Sequence, residues 1–358
     1  MAVRPQQLLR TEIANMRSYR VADAGGYVKL DAMENPYGWP EALQKQWLGV
    51  LEKAALNRYP DSQAVQLRQN FSKTFSVPAG THLMFGNGSD ELIQLLILSI
   101  AKPDACILTV APSFSMYRLI AEFVGVRVIE VPLSASSFTL QVDQTCAAIQ
   151  ENDPAVVFLD CPNNPTGLLW PQQQVEQIVQ HSGGLVVIDE AYAPFASRTM
   201  MPLLEKYSHV LMLRTLSKMG LAGLRLGCLL GARQWLEEFN KLRLPYNVNV
   251  LTQLSASFAL DNISVLEAQT RLICEQREQL ITAMRAINNI QVFPSEANFI
   301  LFRTLDKSAD AVFSQLLEHK ILIKNVADGL LLENCLRVTV GTEEENRAFL
   351  DTLHSALA

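Results

Sequence analysis

From residue 82 onward, short unbroken apolar runs alternate with stretches of ten to fifteen residues whose apolar positions recur at helical spacing. The runs fall at 82–85, 106–110, 126–131, 156–160, 185–189, 210–213 and 226–230. Helical spacing occupies 89–101, 114–123, 142–150 and 171–181, and two further helical stretches precede the first run, at 40–56 and from 61 to about 76. Strands that are apolar throughout, rather than at every second residue, are buried on both faces. The pattern therefore predicts an α/β fold, with a mostly parallel sheet covered by helices on both faces. Near residue 262 the pattern changes. A long helix to 287, runs at 297–302, 321–324 and 336–340, and helices at 308–319 and from 343 predict a smaller α+β domain. Residues 1–40 show little periodicity and several turn signals, and predict an N-terminal arm packed on something else. The expected division is an arm at 1–40, a large domain at 41–250 and a small C-terminal domain at 251–358.

Composition narrows the function classes. With 358 residues and 49% hydrophobic content the chain can bury a large core, and a net charge of −6 with no basic stripe argues against nucleic acid and anionic membrane as partners. No apolar stretch approaches the roughly 20 residues of a membrane span, and the nearest, 220–231, is interrupted by Arg225. The N-terminus lacks the apolar core of a signal peptide. The six cysteines contain no Cys-x-x-Cys and sit mostly in apolar segments, which suits small buried hydrophobes in a reducing cytoplasm. The five histidines match no ligand spacing, so no metal site is proposed.

The chemistry gathers where a parallel sheet binds ligands, beyond the carboxyl ends of its strands. Four segments follow four apolar runs: Gly86-Asn-Gly-Ser-Asp90, Pro162-Asn-Asn-Pro-Thr-Gly167, Asp189-Glu-Ala-Tyr192, and Arg214-Thr-Leu-Ser-Lys218 with Gly223-Leu-Arg225. Lys218 is an amine suited to reacting with an aldehyde, Asp189 an anion, Asn164 and Tyr192 hydrogen-bond donors, and Arg225 a fork for a phosphate. Pyridoxal phosphate requires that set: a lysine, an anionic partner for the pyridine nitrogen, donors for the ring oxygen and a phosphate cradle. Gly86-Asn-Gly-Ser-Asp90 can serve as the cradle through its backbone N–H groups, or be only a tight turn capped by Ser89 or Asp90. Glu91 replaces the third glycine of a nicotinamide fingerprint, and Gly-x-Ser-x-Gly is missing, which disfavours a dehydrogenase and a serine hydrolase.

With Leu336-Arg-Val-Thr-Val-Gly341, Glu34-Asn-Pro-Tyr-Gly38 and Arg58-Tyr-Pro60, these segments resemble, over nearly the whole chain, the fold-type I pyridoxal-phosphate aminotransferases, and among them the histidinol-phosphate aminotransferase family. The resemblance implies that Lys218, Asp189 and Tyr192 carry the chemistry and that Lys218 is joined to pyridoxal 5'-phosphate. Gly88 and Thr215 would bind the cofactor, the backbone around Ser89 and Asp90 with Ser217 and Arg225 would hold its phosphate, Asn164 and Tyr192 its ring oxygen, and Tyr117 would stack on the ring. Tyr59 would reach in from a second subunit of a homodimer with shared active sites. Tyr19, Asn35, Asn164, Lys324 and Arg337 would bind substrate. The implied reaction interconverts L-histidinol phosphate and 2-oxoglutarate with imidazole-acetol phosphate and L-glutamate, in histidine biosynthesis in the cytoplasm. An aromatic amino-acid aminotransferase or a phosphothreonine-type decarboxylase on the same scaffold are the alternatives. Three positions depart from the family pattern. Met33 stands where a polar residue is common, the segment after Lys218 is one residue short, and Lys324 occupies a place often held by arginine.

Overall fold

A computed structural model describes residue 4, residues 7–16, residue 18 and residues 22–358. The strands are β1 (Val28–Lys29), β2 (His82–Asn87), β3 (Cys106–Ala111), β4 (Arg127–Pro132), β5 (Val156–Asp160), β6 (Leu185–Asp189), β7 (Val210–Thr215), β8 (Leu226–Gly231), β9 (Ile290–Val292), β10 (Phe299–Thr304), β11 (Ile321–Leu322), β12 (Lys324–Asn325) and β13 (Cys335–Thr339). Seven of them form one sheet in the order β2-β8-β7-β6-β5-β3-β4. β8 runs antiparallel to β7 and β2, and every other pairing in this sheet is parallel.

The continuous apolar runs serve two cores at once. Along β5 and β6, Val157, Leu159, Val186 and Ile188 enter one core with Val175 and Ile178 of the helix Gln172–His181. Their neighbours Val156, Phe158, Leu185 and Val187 enter the other, with Leu92 and Leu96 of the helix Ser89–Ile100. Successive side chains point to opposite faces, so no polar position is available until a strand ends. β8 reverses direction, which brings its first residue to the same edge as the carboxyl ends of the parallel strands. Arg225 immediately precedes it.

A second, four-stranded antiparallel sheet has the order β12-β13-β10-β9. Phe299, Phe302, Leu336 and Val338 face a third core with the helices Ile263–Arg285 and Glu343–Leu357. The run at 321–324 divides here. β11 pairs in parallel with the N-terminal β1, while β12 pairs antiparallel with β13, with Lys324 opposite Arg337. Part of the expected arm is therefore strand-paired: Leu30 N–H donates to Leu322 O (2.7 Å), Thr339 N–H donates to Leu30 O (2.8 Å), and Leu30 is buried.

The helix Val250–Asp261 was not apparent in the hydrophobic pattern. Its buried face carries Thr252, Ser255, Ala256 and Ala259, small or polar residues that mute the helical period, and Asn249 caps it by accepting from Thr252 N–H at 2.9 Å. Among the described residues no helix is long and apolar enough to cross a membrane.

One close approach tests this arrangement. A Cβ at Gly227 on β8 would lie 2.5 Å from Ser89 N and 2.7 Å from Gly88 C, both backbone atoms, whereas one at Gly223 meets nothing within 4 Å. Gly227→Ala is expected to cost about 1–3 kcal/mol, the range for overpacked sites. Gly223→Ala should leave stability unchanged. Urea unfolding of the two variants checks this, and equal midpoints would refute the close packing.

Candidate active site

The carboxyl ends of β2, β5, β6 and β7 and the start of β8 surround one cleft, lined among others by Ser89, Asp90, Asn164, Asp189, Tyr192, Lys218 and Arg225. Lys218 lies in the single 3-10 turn Ser217–Met219 directly after β7. Its Nζ donates to Ala32 O at 3.3 Å and lies 5.8 Å from the centre of the Tyr192 ring. Burial, and secondarily the positive charge of Arg337, lower the ammonium from 10.5 to about 8. The amine is thus far easier to deprotonate than a surface lysine.

Asp189 ends β6 and is buried. Its Oδ2 accepts from the Tyr117 hydroxyl at 2.8 Å and its Oδ1 from Ala191 N–H at 3.0 Å. Burial raises the carboxyl from 3.8 to about 6, against the opposing pull of those two donors. The adjacent Glu190 points elsewhere. It accepts from the Thr199 hydroxyl and from Met200 N–H and pairs with Arg214, away from the cleft. Glu190 follows the last residue of β6 and turns to the other side, so of the two acids Asp189 lines the cleft.

Asn164 joins the ring side of the cleft to a second cavity. Its Nδ2 donates to the Tyr192 hydroxyl at 3.2 Å, and its Oδ1 accepts from Arg337 Nη1 at 2.5 Å. Arg337 also donates to Asp31 O at 3.0 Å and lies over the Phe299 ring at 5.3 Å. The second cavity is lined by Arg337, Lys324, Arg118, Phe114 and Asn164. Met33 lines both cavities. It takes a left-handed backbone conformation (φ 53°) fixed by its N–H donating to Thr339 Oγ1 and its carbonyl accepting from Asn298 Nδ2, each at 3.0 Å.

At the opposite end, Gly88 (φ 88°) precedes the helix Ser89–Ile100, whose first N–H groups face the cleft edge. Neither Ser89 nor Asp90 caps the helix, since the residue in the capping position is Gly88. Arg225 Nη2 lies 3.4 Å from Asp90 Oδ2 and would be only 2.7 Å from a Cβ at Gly88, so a glycine there leaves room for the guanidinium. Thr215 Oγ1 donates to Ser217 Oγ at 2.9 Å and accepts from Ser217 N–H at 3.1 Å. The short segment after Lys218 is accommodated by Gly220 (φ 116°), a 3-10 turn Ala222–Leu224 and a left-handed Arg225 (φ 48°).

Some expected residues sit differently. Tyr117 is fully buried, stacked on Phe158 at 4.8 Å with its hydroxyl on Asp189, and Phe114 lines the cleft beside Tyr192. The placement has a local cause: Phe114 is still in the loop when the helix Met116–Val124 begins, whereas Tyr117 is in the first turn and faces the core. Asn35 does not line the cleft. Its Nδ2 donates to Met219 O (3.0 Å) and Gln269 Oε1 (2.9 Å), tying the segment after Lys218 to the long helix Ile263–Arg285. Tyr59 is 81% exposed and stacked on Tyr246 at 4.5 Å, outside the cleft of its own chain. Tyr19 lies outside the described residues. Asp160, at the end of β5, was overlooked although it closes an apolar run as Asp189 does, and it lies opposite Asp189 in the sheet register. Burial raises it from 3.8 to about 7.

A lysine and an aspartate on neighbouring strand ends, beside a glycine-led helix start and an arginine, define a cofactor-dependent amino-transfer site. The chain belongs to the class I and II aminotransferases, whose family model matches residues 26–353. It is 49% identical over 351 residues to histidinol-phosphate aminotransferase 2 of Nitrosococcus oceani, covering 98% of this chain and 97% of that one. It is 46% identical over 354 residues to histidinol-phosphate aminotransferase of Chromobacterium violaceum, covering 99% of each. Its fold matches the crystal structure of histidinol-phosphate aminotransferase from Sinorhizobium meliloti in complex with pyridoxal-5'-phosphate. That match has a TM-score of 0.86 at 22% identity, covering 98% of this chain and 97% of the other.

The lowered lysine gives a measurable outcome. Only the neutral amine attacks an aldehyde, so attachment of pyridoxal phosphate to Lys218 in cofactor-free protein should rise with pH about a midpoint near 8, the value burial sets. Borohydride trapping at a series of pH values, with the adduct mapped by mass spectrometry, measures it. A midpoint near the ordinary lysine value of 10.5, or an adduct on another lysine, contradicts the reading.

Proposed function

We propose that this chain transfers an amino group between L-glutamate and imidazole-acetol phosphate, forming 2-oxoglutarate and L-histidinol phosphate, in histidine biosynthesis. The observation that carries the reading is the 49% identity, over almost its full length, to a histidinol-phosphate aminotransferase. The cleft supports it chemically. A buried carboxylate that makes no ion pair among the described residues, a deprotonable lysine, an amide and a phenol facing each other, and a glycine-opened helix start beside Arg225 fit the ring and phosphate of pyridoxal phosphate.

When bound, pyridoxal phosphate supplies an aldehyde that accepts the amino group and a pyridine ring that takes up the electron pair left at the substrate α-carbon. The protein's residues divide the remaining work. Asp189, fixed by Tyr117 and Ala191, presents negative charge to the pyridine nitrogen. Asn164 and Tyr192 would hold the ring oxygen, and Phe114 would cover the ring from the cleft wall. The first N–H groups of the helix Ser89–Ile100, with Ser217, Thr215 and Arg225, would hold the phosphate through charge-assisted hydrogen bonds. Lys218 Nζ, once freed, removes the substrate α-proton as a general base, a task that suits an amine near 8. Arg337 and Lys324 receive the anionic end of the substrate.

The division into an arm, a large domain and a small domain belongs to the same reading, and is supported by a separate core around β10 and β13. So does a homodimer with shared sites, supported by the exposed Tyr59–Tyr246 pair, which leaves Tyr59 free to contact a second subunit. A cytoplasmic location is consistent with six free cysteines.

An amino-acceptor panel with glutamate as donor tests the function, and turnover favouring phenylpyruvate over imidazole-acetol phosphate would assign the protein to aromatic amino acids instead. Within that panel, Lys324→Ala should weaken use of the phosphorylated substrate by roughly ten- to hundredfold, since a hydrogen bond to an ion contributes about 1.5–3 kcal/mol. An unphosphorylated aromatic substrate should be little affected, and equal losses on both would make Lys324 a fold-supporting residue.

The shared site has its own test. Each active site of a mixed dimer of Lys218→Ala and Tyr59→Ala chains takes Lys218 from one chain and Tyr59 from the other, so both lesions fall in one site and the second is intact. Mixing the two inactive variants should restore activity. No recovery in a mixture shown to exchange subunits removes Tyr59 from the site.

A further inference from the structure

We infer that Asp160 is a positioning residue that locks two loops together, setting Phe114 on the cleft wall and Asn164 between Tyr192 and Arg337. The inference rests on the function proposed above only for its effect on substrate. The geometry stands on its own.

Asp160 is 2% exposed, and all four of its hydrogen-bond partners are donors. Oδ1 accepts from Ser113 Oγ at 2.8 Å and from Asn163 Nδ2 at 2.9 Å. Oδ2 accepts from the backbone N–H groups of Phe114 at 3.3 Å and Asn164 at 2.7 Å. Two of the four donors belong to the loop after β3 and two to the loop after β5. These loops have left the sheet, so their N–H groups have no ladder partner, and burial without an acceptor would be costly. One carboxylate satisfies all of them. An amide cannot, because each oxygen accepts from two donors and the NH2 that replaces one oxygen would face donors.

The residues so held are the ones that meet ligand. Phe114 lines the cleft and packs edge-on against Tyr117 at 5.5 Å, and Tyr117 donates to Asp189. Asn164 carries its bonds to Tyr192 and Arg337 from the residue whose N–H Asp160 fixes. Asn163 reinforces the junction: its Nδ2 also donates to Pro112 O at 3.2 Å, and its Oδ1 accepts from Thr166 Oγ1 at 2.6 Å. The charged and titratable groups around Asp160 are Asp189 on the adjoining strand, Tyr117 and Tyr192, Cys161, and Arg337 beyond Asn164. No cation pairs directly with Asp160 among the described residues, so the four donors alone offset its charge.

The test compares full-length wild type, Asp160→Asn and Ser113→Ala. The first reading is amide hydrogen exchange in cofactor-free protein. Asp160→Asn should speed exchange at Phe114 and Asn164 by at least about tenfold, the factor that corresponds to loss of roughly 1.4 kcal/mol of local protection. Exchange in β10 and β13 should be unchanged. The second reading is kinetic. In loaded enzyme, KM for glutamate should rise about tenfold while kcat falls by less, because the Asn164–Arg337 arrangement is loosened. A residue that merely supports the fold would reduce the active fraction and leave KM alone. If Asp160→Asn does not fold, Ser113→Ala, which removes one donor and keeps the carboxylate, decides: faster exchange at Phe114 with a raised KM supports the lock, and wild-type values for both overturn it. Should wild type transfer no amino group from glutamate to any acceptor, the functional reading fails, while the exchange measurement still decides the role of Asp160.

Discussion

The site depends on one constraint, that the strands behind it run through two apolar cores, so its polar side chains gather at and just beyond five strand termini. The central strands β5 and β6 are buried along their whole length, and a polar group within them would lack a partner. Asp160, Asp189 and Thr215 all occupy the last position of a strand, and Lys218 follows three residues later. The one reversed strand, β8, contributes through its beginning, which is why Arg225 joins residues that lie far from it in sequence. The chemistry is assembled by strand direction and strand length together.

Within that frame, burial tunes the reactive groups in opposite senses. Removing water disfavours charge on both Lys218 and Asp189, lowering one toward 8 and raising the other toward 6. The two meet in a cleft where each holds its charge less firmly than at a surface, and a cationic ring placed against Asp189 would favour its ionised form. Glu190 shows the contrast. An acid next in sequence, turned to the other face, is bound to Arg214, Thr199 and a backbone N–H and takes no part.

Much of this was legible in the chain because the informative residues sit at element boundaries. The apolar runs at 156–160 and 185–189 match β5 and β6, and their turn segments could be aligned on strand ends without knowing the sheet order. What the pattern could not supply was direction within a turn. Phe114 and Tyr117 are three residues apart, and which one faces the cleft depends on where the helix starts. Asn35 likewise carried a recognisable motif, but its side chain binds the segment after Lys218 from behind. Asp160 was hidden by its neighbours, since a carboxylate among donors is recognisable only once two loops are folded against each other. The helix Val250–Asp261 escaped because small and polar residues cover its inner face.

The pairing of β1 with β11, and of Leu30 with Thr339, has a consequence for synthesis on the ribosome. Lys218 is touched by Ala32, and Asn164 by Arg337, so the site draws on residues separated by almost the entire chain. The seven-stranded sheet can close once β8 has emerged, but the early segment that reaches Lys218 must wait for β11 and β13. Long-range pairings of this kind form late. A nascent chain therefore holds the scaffold and the cleft residues up to Arg225 before the substrate end supplied by Lys324 and Arg337 has been translated.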